Sequence, residues 1–240
     1  MKLRVFGLII GLFAVMSTPV RAATLTHVVI LVKDMQAARR IFEAAGFKIE
    51  PSGPISPALM HAVMPFRDGT FLELIAACSH AKDVEDVYAF LRSGDGIEAA
   101  GFEVPNASVE RKSLLARGFR VDPLAVSPHW IDIDFSEPAG ILDPFFLYQY
   151  RDDIASRHLR KYAALAASQP YGAIGIRGID VAVAPGVHAA STYAAVGLRG
   201  VTTIEQRIGA PSIVLVRVAT SNLRRKGTTI VVDHCRIRFE

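Results

Sequence analysis

The residue whose position raises the clearest chemical question is Glu73, a carboxylate inside an otherwise apolar strand. It stands between Leu72 and Leu74 in the stretch F-L-E-L-I-A. A carboxylate buried there without a partner would be costly, because an ionised group loses its hydration in apolar surroundings. A metal ion, a charged ligand or a hydrogen-bonded cavity would each remove that cost. The sequence therefore predicts a functional role for Glu73.

Several other polar side chains on predicted strands have both a functional and a structural interpretation. His27 lies in the β-branched run L-T-H-V-V-I-L-V and is either a ligand or a hydrogen-bonded strand histidine. His61 lies on a later predicted strand with an unknown facing. Asp132 and Asp134 alternate with isoleucines, which favours one solvated face of a strand. Asp180 interrupts an apolar strand and is suited to a hydrogen bond with a neighbouring turn.

The end of the chain places four polar residues on one face of a predicted strand, namely His234, Arg236, Arg238 and Glu240. If that face lined a cavity, the arginines would be suited to bind a carboxylate or phosphate. The water-facing side of a terminal strand is the favoured interpretation. The sequence has no Ser-His-Asp signature, glycine-rich phosphate loop or zinc-type cysteine spacing that would indicate another chemistry.

Residues 1–22 have the composition of a secretory signal peptide. Lys2 and Arg4 precede an apolar run over residues 5–16, and small residues follow. We expect cleavage after Ala22 or Ala23 and a periplasmic or secreted protein. A membrane anchor is the alternative, although a span needs about 20 apolar residues.

Charge argues against nucleic acid as a partner. The chain has 27 Lys and Arg against 23 Asp and Glu, but three of the basic residues lie in residues 1–22, which leaves 24 against 23. No basic stripe is interleaved with aromatic residues. We therefore expect no nucleic-acid partner and, after cleavage of the signal peptide, no membrane partner.

The two cysteines, Cys78 and Cys235, have two interpretations. They form a disulfide in an oxidising compartment, or both are small buried residues on strands, as free cysteines often are. The sequence leaves both open, because it does not give the distance between the two Cα atoms.

The remaining residues, 23–240, are predicted to form one α+β domain built from a repeated unit. A strand over 25–32 leads to a helix that Asp34 caps, and Gly46 ends this helix. A short strand over 47–50, a loop over 51–57 and a hairpin turning at 67–69 complete a βαβββ unit. The pair Gly-Phe at 46–47 recurs at 118–119, and Gly-Leu follows at 197–198. The sequence thus predicts three modules, at about 24–77, 96–150 and 172–240.

These modules resemble a known family. The strings L-T-H-V-V-I-L-V-K-D-M, G-F and G-T-F-L-E-L-I-A are similar to the first module of glyoxalase-like proteins in the vicinal oxygen chelate superfamily. P-F-F-L-Y-Q-Y and P-Y-G-A-I-G-I-R-G-I-D-V-A-V resemble later parts of the same group, so the likeness covers about residues 24–195. It implies repeated βαβββ modules that form curved mixed sheets around a cavity. It also implies a divalent metal, held in each module by a histidine on the first strand and a glutamate on the fourth.

Carried over to this chain, the resemblance makes His27 and Glu73 the metal ligands and Glu73 also a catalytic base. Zn, Mn, Fe or Ni would suit this pair of donors. The other modules do not repeat it: aligned through their glycines, they place Ala99 and Gly178 at the histidine, and residues 147–149 and Val231 near the glutamate. Three side chains are candidates to replace the missing donors, namely Gln149, His61 and His129.

Three hypotheses for function follow. The first is a metal-dependent lyase, isomerase or oxygenase acting on a small oxygen-bearing substrate. The second is a non-catalytic protein that binds a small molecule and has a degenerate metal site. The third is assembly alone, in which exposed strands pair between the subunits of a homodimer.

Overall fold

The computed structural model describes residues 22–51, 53–79, 82–136, 140–151, 154–206 and 209–240. The predicted signal peptide, apart from Ala22, lies outside these described residues. Within them, no helix has the length and apolar character needed to cross a membrane.

The described chain contains thirteen strands, five α-helices and three 3₁₀ turns. The strands are β1 (Thr24–Leu31), β2 (Gly53–Pro54), β3 (Leu59–Pro65), β4 (Phe71–Ala77), β5 (Gly96–Glu103), β6 (Ala125–Val126), β7 (Trp130–Asp134), β8 (Phe145–Tyr150), β9 (Ala173–Val183), β10 (Val201–Glu205), β11 (Ser212–Thr220), β12 (Thr229–Val232) and β13 (Cys235–Phe239). The helices are α1 (Met35–Ala44), α2 (Glu85–Leu91), α3 (Ala107–Ala116), α4 (Ile154–Ala167) and α5 (Ala189–Val196). The 3₁₀ turns are Lys82–Val84, Pro170–Gly172 and Leu223–Arg225.

The signals that end the helices act as predicted. The Asp34 carboxylate accepts hydrogen bonds from the backbone N–H groups of the first turn of α1. The glycines after α1, α3 and α5 have φ values of 96°, 88° and 91°. In each case the next residue donates its N–H to the carbonyl five residues earlier, the pattern of a Schellman C-cap. The repeated glycine therefore marks the same corner in all three units.

The first two modules pair side by side in one eight-stranded sheet with the order β2-β3-β4-β1-β5-β8-β7-β6. In each module the first strand runs parallel to the fourth, β1 with β4 and β5 with β8. The two modules meet where β1 runs antiparallel to β5. The sheet thus has the same strand order on both sides of this seam, which confirms the predicted βαβββ repeat and the curled mixed sheets.

One local prediction in the first module is wrong. Residues 47–50 do not form a strand, and the short strand β2 lies instead within the predicted loop. The backbone N–H and carbonyl of Lys48 bond to the side-chain amide of Gln169, at 3.1 and 2.7 Å. This amide satisfies both backbone groups of Lys48, and among the described residues the segment meets β3 only through the Glu50 N–H, which donates to the Val63 carbonyl at 2.8 Å.

The third unit begins like the others but continues in a different order. Its five-stranded sheet has the order β10-β9-β11-β13-β12. Here β9 runs parallel to β10, which follows α5 directly, and antiparallel to β11. The third unit therefore keeps the strand–helix start of the first two modules but not their strand order. Since β10 takes the place beside the first strand, β11 and the final hairpin are added on the other side.

The main core lies between one face of the eight-stranded sheet, the helices α1, α3 and α5, and the five-stranded sheet. Val28 and Ile30 from β1 pack there with Phe42 of α1, Leu114 of α3 and Val216 of β11, and all are fully or nearly fully buried. The cysteines do not tie these layers together, since Cys78 is exposed, Cys235 is buried and both are free thiols. The opposite face of the eight-stranded sheet is left to form a cavity.

Candidate functional site

The cavity has a volume of about 880 Å³ and lies on the face of the eight-stranded sheet that is turned away from the main core. Side chains from β1, β3, β4, β5, β7 and β8 line it, and α2 and α4 contribute further residues to its walls. Among the described residues that line it, none comes from the five-stranded sheet. Both predicted site residues, His27 and Glu73, lie in this cavity.

The two histidines of the first module hold the Glu73 carboxylate between them. One oxygen, Oε1, lies 2.6 Å from Nδ1 of His61, and the other, Oε2, lies 3.9 Å from Nε2 of His27. A carboxylate can only accept hydrogen bonds, so Nδ1 of His61 donates when Glu73 is ionised. The Glu73 side chain is 13 % exposed. The predicted need of this carboxylate for a partner is therefore met by a hydrogen-bonded cavity.

A chain of hydroxyl groups fixes which nitrogen of His27 carries its proton. The Tyr148 hydroxyl donates to Thr26 Oγ1 at 2.8 Å, and the Thr26 hydroxyl donates to the Gly101 carbonyl at 3.0 Å. Nδ1 of His27 lies 3.1 Å from Thr26 Oγ1. Since the Thr26 proton is already directed at a carbonyl, Nδ1 must be the donor and Nε2 carries a lone pair.

The neutral form of His27 is favoured by its surroundings. Burial lowers the pKa of His27, and the nearby Glu73 carboxylate offsets this in part. The ring stacks on Phe71 with centroids 4.6 Å apart and planes 2° apart. The neutral ring therefore presents the bare Nε2 to Oε2 of Glu73. Two acceptors that face each other in this way are suited to receive a proton donor or a cation between them.

Gly101 makes room for this ring. It is the partner of His27 across the β1–β5 seam, and a Cβ on Gly101 would lie 2.3 Å from Cε1 of His27. Thr26 is left out of the β1–β5 pairing by a bulge. Such a bulge re-aims the side chains of the bulged strand, and Thr26 and His27 accordingly both line the cavity.

The second module supplies no matching donors. If Ala99 aligns with His27, then Gly101 aligns with Val29, whose partner on β4 is Glu73. The partner of Gly101 on β8 is Phe146, so a phenyl group takes the place of the second carboxylate. The glutamate position of the second module is therefore held by Phe146, which directly precedes the predicted stretch 147–149.

Of the three side chains considered as replacement donors, only His61 lines the cavity. The side-chain oxygen of Gln149 accepts from the backbone N–H of Ala107 at the start of α3, 2.9 Å away. Asp180, on the five-stranded sheet, instead pairs with Arg217 at 3.1 Å. These contacts give both side chains structural roles.

The donors present fit only part of the metal site that the resemblance implies. Catalytic zinc is usually held by three protein ligands. Among the described residues, no group of three or more His, Cys, Asp or Glu side chains has the arrangement needed to hold a metal ion. His27 and Glu73 make one of the two implied pairs, and Ala99 and Phe146 stand at the positions of the second. We therefore assign no catalytic step to a metal.

Asp132 and Asp134, predicted to lie on the solvated face of their strand, also line the cavity, where Asp132 is half-buried and Asp134 is exposed. Burial, followed by the charge of Asp134, raises the pKa of Asp132 to about 7. Burial, followed by the charges of Asp86 and Asp134, raises the pKa of Glu98 to about 7. Part of the cavity wall is therefore acidic and short of positive charge.

These raised pKa values predict how stability depends on pH. The folded protein keeps the proton on Glu98 up to about pH 7, whereas a typical glutamate loses it near 4.5. Between these values the folded state binds more protons, so the free energy of unfolding falls as pH rises. Glu98→Gln should therefore raise the free energy of unfolding by about 1–2 kcal/mol at pH 8 and leave it unchanged at pH 4.

Thermal or urea unfolding at the two pH values measures this difference. Glu205→Gln, which makes the same charge change on the exposed Glu205 of β10, is the matched control and should change neither value. Equal stabilisation by Glu98→Gln at pH 4 and pH 8 would show that burial does not hold the proton on Glu98.

Comparisons with known proteins agree with this architecture. The model of the family described as a glyoxalase-like domain matches residues 25–197. The crystal structure of a hypothetical protein from Staphylococcus aureus is similar with a TM-score of 0.71 and 11% sequence identity, over 92% of this chain and 99% of that chain. A search of curated proteins found no match.

Two weaker structural similarities are to methylmalonyl-CoA epimerases. One crystal structure of that enzyme has a TM-score of 0.46 and 16% identity, over 54% of this chain and 96% of the enzyme. A variant of the Streptomyces coelicolor enzyme, in complex with 2-nitronate-propionyl-CoA, has a TM-score of 0.45 and 15% identity, over 55% of this chain and 100% of the enzyme. The family match covers both paired modules and the strand and helix that open the third unit, and the chain therefore belongs to the glyoxalase-like domain family.

Proposed function

We propose that this protein is an exported isomerase or lyase that transfers a proton on a small oxygen-bearing substrate, with Glu73 as the base. One observation carries the proposal: the Glu73 carboxylate lies in the cavity between two imidazoles, hydrogen-bonded to His61 and facing the bare Nε2 of His27. A carboxylate held in this way has one oxygen oriented and the other directed at the position of a substrate. A general base must first be held within reach of the proton that it removes, and only then does its pKa determine how well it works.

The proposed chemistry is abstraction of a proton from a carbon next to a carbonyl group. The C–H bond breaks, the proton passes to Glu73, and the electron pair moves to the substrate oxygen as an enolate. Glu73 exchanges this proton with solvent and then returns a proton to the same carbon, which restores the carbonyl compound on one face or gives its epimer on the other. Tyr150 lines the cavity, and burial raises the pKa of its hydroxyl to about 12, so it remains a protonated donor for the developing oxyanion.

The wild-type protein tests this proposal directly. A base that removes a carbon-bound proton in D₂O returns deuterium, so NMR should detect solvent-deuterium incorporation into an accepted substrate. The probes are hydroxyacetone, dihydroxyacetone and 2-oxobutyrate, which carry vicinal oxygens and exchangeable C–H groups. We expect exchange of at least one probe at about tenfold or more above the buffer rate.

A binding protein without turnover is the second candidate. Ala99 and Phe146 at the positions of the second ligand pair favour it, because they leave a cavity suited to holding a molecule. In that case a probe binds, as ligand-detected NMR would show, but gains no deuterium. That result would replace the enzyme proposal with the binding one.

The metal content should follow from the incomplete donor set. His27 and Glu73 would hold a divalent ion, which would act as a Lewis acid on a substrate oxygen. With one donor pair in place of two, we expect weak binding: protein loaded with Zn²⁺ or Mn²⁺ should retain less than about 0.1 equivalent after gel filtration. Elemental analysis without affinity-metal resin measures this. One equivalent that is lost in His27→Ala would instead establish a physiological metal site.

A further inference from the structure

The charged groups that line the cavity are strongly unbalanced. Seven carboxylates line it, against a single guanidinium and two histidines, and the carboxylates are Asp68, Glu73, Asp86, Glu98, Glu103, Asp132 and Asp134. The guanidinium, of Arg67, donates a hydrogen bond to the carbonyl of Ala167 at 2.9 Å. Asp68 accepts from the backbone N–H and hydroxyl of Thr70, so its role is local. The carboxylates around Glu98 face no lysine or arginine among the described residues that line the cavity.

Glu98 is the member of this set that most needs a partner. The pairing between β1 and β5 matches Val29 with Ala99 and Ile30 with Ile97, so Glu98 is the extra residue of a β-bulge. Bulges re-aim a side chain, and here Glu98 lines the cavity. It is half-buried and has no hydrogen-bond or ion-pair partner among the described residues. Its nearest charged neighbours are Asp86 from α2 and Asp134 from β7, both of the same sign.

Aromatic side chains line the cavity beside these carboxylates. Phe146 is the cross-strand partner of Asp134, and Trp130 precedes Asp132 by two residues on the same face of β7. The ring of Phe90 on α2 lies close to Gly96, two residues from Glu98. Aromatic faces attract cations, most strongly where water is partly excluded. Carboxylates beside aromatic rings make a setting suited to an ammonium group attached to an apolar body.

A small inorganic ion does not match this arrangement. Among the described residues, no three carboxylates or histidines are close enough to share one metal ion. An organic cation is larger and does not need closely spaced ligands, since its charge is satisfied by several carboxylates at longer range together with aromatic contacts.

We propose that the ligand of this cavity carries an ammonium group, which binds between Glu98, Asp86 and Asp134 against the rings of Phe90 and Phe146. The inference rests on the proposed function, because it assigns a substrate class to the same cavity. Glu98 lies on β5 and Glu73 on β4, two strand spacings apart with β1 between them. The ammonium group therefore binds roughly 10 Å from the reacting carbon, which matches a small amine with an apolar spacer.

Matched probes test this inference without any turnover. Phenethylamine is a cation at pH 8 and 2-phenylethanol is its neutral counterpart of the same shape, so equilibrium dialysis of both isolates the contribution of charge. We expect the amine to bind about tenfold or more tightly than the alcohol at low salt. Glu98→Gln should weaken binding of the amine by about five- to tenfold and leave the affinity for the alcohol unchanged. Glu205→Gln, the same charge change on the other sheet, should alter neither.

The outcomes separate this inference from the proposed function. Glu73→Gln should keep amine binding within about twofold while removing proton exchange, because Glu73 lies outside the proposed ammonium site. Three results would each overturn the ammonium site. The first is equal affinity for amine and alcohol, and the second is no binding of either at 10 mM ligand, roughly the weakest affinity of interest. The third is an equal loss of affinity for both in Glu98→Gln. Thermal unfolding of Glu98→Gln, expected to be at least as stable as wild type at pH 8, excludes misfolding as the cause of a loss.

Discussion

Glu73→Gln should slow solvent-deuterium exchange of an accepted probe by at least about 100-fold, because a positioned general base contributes roughly 10²–10⁴-fold to a proton transfer. The amide keeps the size and one hydrogen-bonding oxygen of the carboxylate, so the hydrogen bond from His61 can be retained. What the variant loses is the ability to take a proton. NMR time courses of the probe in D₂O give the ratio of rates.

Two further measurements make the result specific to Glu73. Glu205→Gln makes the same change of charge on the other sheet and should exchange at the wild-type rate. Thermal unfolding of Glu73→Gln should show a folded protein. If the folded variant exchanges within about threefold of wild type, a different group abstracts the proton and Glu73 is a structural partner of the histidines.

Gly101→Ala should displace His27 and destabilise the fold by about 2 kcal/mol, within the range measured for overpacked interiors. A Cβ at this position would lie 2.3 Å from Cε1 of His27 and 2.7 Å from its Nε2. The imidazole cannot move without giving up its stacking on Phe71 or its contact with Thr26. We therefore expect exchange to fall together with stability.

Gly96→Ala is the matched control on the same strand. A Cβ there would meet only Phe90, at an ordinary contact distance of 3.7 Å. It should change the free energy of unfolding by less than about 0.5 kcal/mol and leave the His27 resonances unmoved. If both alanine variants lower the free energy of unfolding by the same amount, crowding of His27 is not what destabilises Gly101→Ala.

Much of the fold follows from local sequence signals. The cap at Asp34 and the glycines that end α1, α3 and α5 act through backbone geometry within a few residues, so the sequence is sufficient to predict them. The strand order of the third unit is not local. The placement of β10 and β11 on opposite sides of β9 joins strands far apart in the chain, and the repeat pattern does not encode it.

The candidate site was predicted in part. His27 and Glu73 came from the resemblance, but the bond between His61 and Glu73 was missed, although the hairpin carries the signal for it. A turn centred on Asp68 pairs Val63 with Glu73 and His61 with Ile75, so His61 is a diagonal neighbour of Glu73 on the same face.

Other site residues had no comparable local signal. Thr26 and Glu98 reach the cavity because bulges interrupt the alternation of β1 and β5. Strict alternation of side chains along a strand therefore predicts the wrong face of the sheet for one residue in each of the two strands. The contact of Tyr148 with Thr26 joins residues 122 positions apart, and only the assembled sheet brings them together.

The most direct test of the central claim, a preformed proton-transfer site at Glu73, is the ¹⁵N NMR spectrum of the histidine side chains at pH 7.5. The structure predicts that the neutral ring of His27 carries its proton on Nδ1, towards Thr26, and that Nδ1 of His61 is also protonated, towards Glu73. In Glu73→Gln the His61 resonances should shift while the His27 tautomer is retained. A proton on Nε2 of His27 in the wild-type protein, or a bare Nδ1 on His61, would contradict the account.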